Sequence, residues 1–312
     1  MVFEIKILGS NSASFAFGRH HTAQIINHNH QHYLVDCGEG TQIQMARYRV
    51  RLNKIDHVFI SHLHGDHYLG LMGLVSTMHL QGRKQDLHLF GPPGLADIII
   101  PQLRVSDTRL NYKIHFQELR TDQSEQILEN GHLTVTTLPL DHRIACCGFL
   151  FREKPKRRRL IKEQLPADLQ PSQMGALKRG DDLFDDAGNL VVRNADVTRP
   201  PRRARSYAYC SDTRYREELI GLVRDVDLLY HESTFTDEYA ERAATTHHST
   251  ARQAAEVARA ANVNRLLLGH YSSRYRDLTI FEQEARQVFP ASYLSIEGQI
   301  FAIDDEPLSA DA

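Results

Sequence analysis

The sequence predicts an α/β fold of the α+β kind, with sheets packed face to face and helices on the outside. Three observations carry that expectation. Short apolar runs bounded by Asn, Gln and Gly dominate the first third. Strand-like and helix-like segments then alternate. One polar, charge-rich stretch without apolar periodicity interrupts the order near the middle.

The elements follow in order. Val2–Leu8 alternates in part and ends at Gly9, and Ala23–Ile26 and Tyr33–Asp36 are further short strands. Gly38–Thr41 turns into a helix expected to reach about Arg51. Asp56–Ser61 reads as a buried strand, Tyr68–Leu80 as a helix, and Leu87–Phe90 as a strand stopped by Gly91-Pro92-Pro93-Gly94. A helix over Leu95–Leu103 and strands at Leu133–Pro139 and Gly148–Phe151 complete the first half. After the polar stretch come strands at Ser206–Ser211, Val226–His231 and Arg265–Gly269, with an alanine-rich helix at Thr250–Ala261. Ser292–Ile296 and Gln299–Ile303 read as a hairpin around Glu297-Gly298.

The 312 residues contain no linker that divides them, which fits one large domain with an insertion. The interruption spans 152–205. Its first part, 152–163, holds seven Lys/Arg: Arg152, Lys154, Lys156, Arg157, Arg158, Arg159 and Lys162. The expected organisation is therefore a catalytic domain of 1–151 and 206–312 with an inserted arm of 152–205.

Hydrophobic content of 41% and charged content of 24% are ordinary for a soluble globular protein. No stretch is long and apolar enough to span a membrane, and the start has no signal-like segment, so no membrane association is expected. The four cysteines, Cys37, Cys146, Cys147 and Cys210, form no C-x-x-C pair, which predicts a cytoplasmic protein without a disulfide framework. Net charge is −2, which excludes a strongly basic protein.

Histidine, at 18, is the unusual count. A lone histidine is ordinarily a hydrogen-bonded core or surface residue, as expected of His28, His30 and His32. The run His62-Leu63-His64-Gly65-Asp66-His67 differs, because four ligand-type side chains follow an apolar strand directly. His62 and His64, two apart in extended backbone, share a face. Gly65 allows a tight turn, and Asp66 is placed to cap the next helix. Further ligand types stand where other strands give way to loops: His142, Asp212 and His270. The seven residues His62, His64, Asp66, His67, His142, Asp212 and His270 exceed what one catalytic zinc uses. With Asp212 bridging, they provide four ligands to each of two metals, zinc by ligand type. Cys210, two residues from Asp212, is assigned to packing by strand alternation.

This His-x-His-x-Asp-His pattern with later His, Asp and His ligands resembles the metallo-β-lactamase superfamily, which implies an αββα four-layer sandwich. Within it, Asp36-Cys37-Gly38-Glu39-Gly40-Thr41-Gln42 is similar to the first motif of ribonuclease Z, the tRNA 3′-processing endonucleases. Asp66–Leu71, Ser211-Asp212-Thr213, His231-Glu232-Ser233-Thr234, His248-Ser249-Thr250 and Gly269–Tyr275 resemble its later motifs. The matches run from about residue 5 to 304. The resemblance implies removal of the 3′ trailer from precursor tRNA, two zinc ions per subunit and a homodimer. It implies that Asp66 orients or deprotonates the nucleophile, and that His248, oriented by Glu232, donates a proton to the leaving oxygen. It also implies that the insertion is a flexible tRNA-gripping arm. Met174–Gly180 and Asp186–Asn189 are similar to the arm's tip. Lys156, Arg157, Arg158, Arg159, Lys178 and Arg179, with Arg274 from the last motif, are the RNA-contacting candidates.

The loop after the first strand departs from the family. Ser14-Phe15-Ala16-Phe17-Gly18-Arg19-His20 stands where many members have Pro-Thr-x-x-Arg-Asn. The alternative within the superfamily is a small-molecule phosphodiesterase or glyoxalase II-like thioesterase. The alternative from another class is a binding protein that keeps the fold without turnover.

Overall fold

The structure is a computed structural model and describes residues 2–305. Two seven-stranded sheets face one another. The first runs, edge to edge, through Ile300–Ala302, Phe3–Gly9, Ala23–His28, Gln31–Val35, Ile55–Phe59, Leu87–Gly91 and Ile114–Glu118. The second runs through Ser292–Leu294, Arg265–Gly269, Leu228–Glu232, Ser206–Cys210, Cys147–Glu153, Leu133–Pro139 and Gln126–Glu129. Each sheet is antiparallel over one half and parallel over the other. The parallel strands are apolar almost throughout, as in Arg265-Leu266-Leu267-Leu268, because both their faces are covered.

Three cores make the four layers. Phe3, Tyr33, Phe59 and Phe90 from one sheet meet Phe149, Phe151, Tyr207 and Tyr209 from the other. On the outside of the first sheet, Ile25, Leu34 and Val58 pack under Leu71, Leu74, Val75 and Met78 of helix Leu71–Leu80. Outside the second, Ala208, Leu229 and Leu266 pack under Ala251, Ala254, Ala255 and Ala258 of helix Ala251–Ala260. Small side chains let that helix lie close to the sheet. Its start is fixed by a capping box in which Thr250 Oγ1 accepts from the Gln253 backbone and the Gln253 side chain accepts from the Thr250 backbone.

Several local expectations change. Ser292–Leu294 and Ile300–Ala302 do not pair with each other. The first joins the second sheet beside Arg265–Gly269, and the second joins the first sheet beside Phe3–Gly9. The turn at Gly298, with φ +85°, carries the chain from one sheet to the other. Helix 41–51 is shorter, Thr41–Arg47, and 68–80 divides into a single turn, Gly65–Tyr68, and helix Leu71–Leu80. Ile114–Glu118 and Gln126–Glu129 are edge strands whose polar, exposed sequences hid them.

The segment between Cys147–Glu153 and Ser206–Cys210 has structure of its own. It holds helix Pro171–Arg179 and two small antiparallel pairs, Arg159–Leu160 with Thr198–Arg199 and Leu183–Phe184 with Leu190–Val192. Leu177, Leu183, Val192 and Val197 form its small core.

Candidate metal centre

All seven predicted ligands converge at one edge of the sandwich, where strands of both sheets end. His62 follows strand Ile55–Phe59, and extended backbone at His64 (φ −77°, ψ 145°) keeps both rings on the same side. The turn Gly65–Tyr68 then brings in Asp66 and His67. Asp66 does not cap this turn. Its carboxylate lies inside the first turn and faces His270 Nε2 at 3.3 Å and His67 Nε2 at 3.5 Å. The loop is held against the first motif, since a Cβ on Gly38 would strike the Asp66 carbonyl oxygen and one on Gly70 the Gly38 carbonyl oxygen.

The seven divide into two groups about Asp212. His62 and His142 Nε2 lie 3.6 and 3.8 Å from Asp212 Oδ2, with His64 Nδ1 3.1 Å from each of those nitrogens. His67 and His270 Nε2 lie 3.4 and 3.2 Å from Asp212 Oδ1, with Asp66 completing that group. One oxygen of Asp212 thus faces each group.

The distal ring nitrogens are fixed so that the inner ones point to the centre. His67 Nδ1 donates to Asp36 at 2.7 Å, and His142 Nδ1 to the His247 carbonyl at 3.0 Å. The Ser61 hydroxyl donates to Asp36 and therefore accepts from His62 Nδ1 at 3.0 Å. The Thr234 hydroxyl donates to Glu232 and so accepts from His270 Nδ1 at 2.9 Å. Four inner nitrogens are thereby left as lone pairs within reach of one another. That arrangement is repulsive until a cation sits among them.

The electrostatics agree. Burial pushes His62 well down and His142 to about 4, so both are neutral ligands. Burial also opposes charge on His67, yet Asp212, Asp66 and Asp36 outweigh it and draw positive charge to that spot. Asp212 Oδ1 is buried without a hydrogen-bond partner. The donor set, nitrogen and carboxylate only, fits divalent cations of the zinc class. Asp36 (φ +53°) and His270 (φ +62°) are both held in left-handed backbone, strain located at the centre itself.

Glu232 is fully buried at the end of its strand, and His248 Nδ1 lies 2.8 Å from its Oε1. Burial works against charge on His248, but Glu232 prevails and raises it to about 9, so it is an imidazolium at neutral pH. His248 stands 3.9 Å from Asp212 and on the wall of a cleft of about 610 Å³ that also contains Asp66 and His270. Exposed Arg143, Arg242 and Arg274 rim it.

The arm candidates separate. Arg157, Arg159, Lys178 and Arg179 are exposed, and Arg158 is half-buried with Nε donating to Thr198. Lys156 is not available in the same way: it lies 2.7 Å from Glu153 and 2.5 Å from Asp305. Arg205 is buried on Glu153 as well, and Arg203 pairs with Asp227. Cys210 packs in the core of the second sheet's outer layer, away from the ligand groups.

Sequence reasoning missed the residues that orient the ligands: Asp36, Ser61, Thr234 and Tyr209, whose hydroxyl donates to Asp36 at 2.6 Å. Asp36 had a signal, since it follows an apolar strand as the ligands do. Arg143 and Arg242 had none.

Curated relatives named ribonuclease Z match nearly the whole chain. That of Cytophaga hutchinsonii is 48% identical over 98% of this chain and 97% of its own, and that of Bacteroides thetaiotaomicron 41% identical over 97% and 96%. The chain belongs to the ribonuclease Z family. Among solved structures, the short form of human tRNase Z shares the fold with a TM-score of 0.70 at 24% identity, covering 96% of this chain and 99% of its own. The metallo-β-lactamase fold protein YhfI of Bacillus subtilis gives 0.67 at 18%, covering 97% and 100%. A family model described as Anti-Pycsar protein Apyc1 matches residues 3–157. That range holds His62–His67 and His142 but stops before Asp212, Glu232, His248 and His270, whereas the ribonuclease Z relatives extend over the complete site.

Proposed function

We propose that this ribonuclease Z uses two zinc ions, held by these seven residues, to remove the 3′ trailer from precursor tRNA. It is an endoribonuclease and a metal-dependent phosphodiester hydrolase that leaves a 3′-hydroxyl on the tRNA. The observation that carries the two-metal reading is Asp212, with one carboxylate oxygen toward each ligand group. Bound there, divalent cations would ionise a water near neutral pH and offset negative charge on the phosphoryl oxygens.

The chain's own residues do the rest. His62, His64 and His142 hold one side of Asp212, and Asp66, His67 and His270 the other. Asp66 lies at the cleft floor, placed to orient the attacking water and receive its proton. His248 carries the proton for the leaving 3′-oxygen as the P–O3′ bond breaks, and Glu232 keeps it protonated and aimed. Arg143, Arg242 and Arg274 line the approach with positive charge. The arm, 152–205, grips the tRNA body through Arg157, Arg159, Lys178 and Arg179. The working enzyme is a cytoplasmic homodimer. No helix among the described residues is long and apolar enough to cross a membrane.

Incubation with precursor tRNA tests this. Cleavage is expected to stop with a chelator and return with zinc. His248→Ala should lower kcat about 10²- to 10⁴-fold while metal content by elemental analysis stays at two per chain. Loss of metal from His248→Ala would place that ring among the ligands instead and end its role as proton donor.

A further inference from the structure

The loop that departs from the family pattern is built at a conformational cost. Ala16 and Arg19 pair across a two-residue turn, with the Arg19 N–H donating to the Ala16 carbonyl at 3.0 Å. The turn residues, Phe17 and Gly18, have φ of +55° and +76°. Positive φ at both positions is the pattern of a type I′ hairpin turn, which ordinarily carries Asn-Gly. A bulky residue such as Phe at the first position is an outlier. Burial does not compensate for it, since Phe17 is 55% exposed. Phe15, one strand position before the turn, is 51% exposed.

The hairpin is nevertheless held firmly. Arg19 Nε donates to Asn11 at 2.9 Å and Nη2 to the Tyr275 carbonyl at 2.6 Å, and the guanidinium lies 5.3 Å from the centre of the Phe17 ring. The Phe15 ring lies 4.2 Å from that of His21. These anchors fix the hairpin beside the cleft, whose lining includes Ser12, Ser14 and His21, its neighbours in sequence, together with Ser272, Ser273 and Arg274. Two exposed rings, one in strained backbone, are thus presented on a rigid mount beside the metal centre and its arginine rim. Flat apolar rings beside phosphate-binding cations are the surface that unpaired nucleobases stack on.

We propose that Phe15 and Phe17 form a stacking platform for the unpaired nucleotides that flank the scissile phosphate. The proposal rests on the RNA-cleaving reading above. It assigns these two rings to substrate binding, with the strain at Phe17 retained for the ring it displays.

The decisive variant is Phe17→Asn, which removes the ring and installs the residue the turn prefers. Precursor tRNA carrying 2-aminopurine beside the scissile phosphate gives a readout independent of cleavage. Wild type should quench the fluorophore on binding. Phe17→Asn should lose at least about half of that quench, raise KM about five-fold or more, and melt at the same or a higher temperature. Phe17→Trp should restore quench and KM. Phe15→Leu, which keeps an apolar contact with His21, should also weaken the quench. A lower Tm with quench and KM unchanged would make Phe17 a structural residue and overturn the proposal. Wild type that quenches without cutting would leave the platform standing and remove the endonuclease reading. Wild type that cuts without quenching would do the reverse.

Discussion

The metal centre and the arm are both rich in ionisable side chains, and they use them in opposite ways. In the centre, carboxylates and imidazoles converge in a buried space, and the outward atoms of the rings are tied to Asp36, Ser61, Thr234 and a backbone carbonyl. In the arm, cations spread outward from a core of four apolar residues. At the arm's root a third pattern appears, in which Lys156 and Arg205 meet Glu153 and Asp305 in a buried ion network. Charge in the sequence is therefore not charge available to a ligand. Convergence builds the candidate metal centre, exposure leaves a cation open to a ligand, and burial with a partner makes a joint.

The largest expected effect lies at the point where the two ligand groups meet. Asp212→Ala removes an oxygen from each. Cleavage of precursor tRNA should fall by more than about 10³-fold, beyond the cost of one lost electrostatic donor. Metal content should fall with it. Full metal content in this variant would mean that Asp212 bridges nothing and that the two groups are independent sites.

That the ligands were legible in sequence and their supports were not has a physical cause. A ligand that follows an apolar strand is marked by its own neighbours, as at His62, His142 and Asp212. Ser61 and Thr234 act only through partners, and Tyr209 reaches Asp36 across 173 residues of chain. The same limit explains the hairpin that did not form. Glu297-Gly298 has turn chemistry, and a turn signal is identical whether the next strand returns to its neighbour or crosses to the other sheet. The arm's basic composition was plain, but which cations are paired depends on Asp305 and Asp227, far along the chain.

A middle-sized effect separates the centre from the arm. Arg159 and Arg199 are paired neighbours, so replacing 160–198 by a short Gly/Ser turn closes the chain without disturbing the root. The kcat/KM on precursor tRNA should fall at least about 10²-fold, the loss expected when several phosphate contacts disappear. Hydrolysis of a nitrophenyl phosphodiester should change less than about two-fold, because such a substrate is too small to reach the arm. Unchanged kcat/KM on precursor tRNA would sink the arm's role as an exosite.

The smallest effect sharpens the comparison within one basic run, between neighbours the sequence cannot tell apart. Arg157 is exposed, so Arg157→Ala should leave Tm nearly unchanged and reduce the salt dependence of tRNA binding by about one phosphate contact. Lys156→Ala should do the opposite. Burial alone would raise the Glu153 carboxyl, but His28, Arg205 and Lys156 together hold it well below the ordinary range. A depressed carboxyl stabilises the fold above the unfolded-state value, about 4.3, and loses that contribution as pH falls toward its folded-state value. Removing Lys156 leaves Arg205 and His28 in place, so the cost should be about 1–2 kcal/mol at neutral pH, less than for a fully broken buried pair. The Tm gap to wild type should then narrow below about pH 4 as both proteins protonate Glu153. A salt-slope change at Lys156 with no loss of Tm would show that its pairing gives way to RNA, and would move the boundary between joint and exosite two residues toward the sheet.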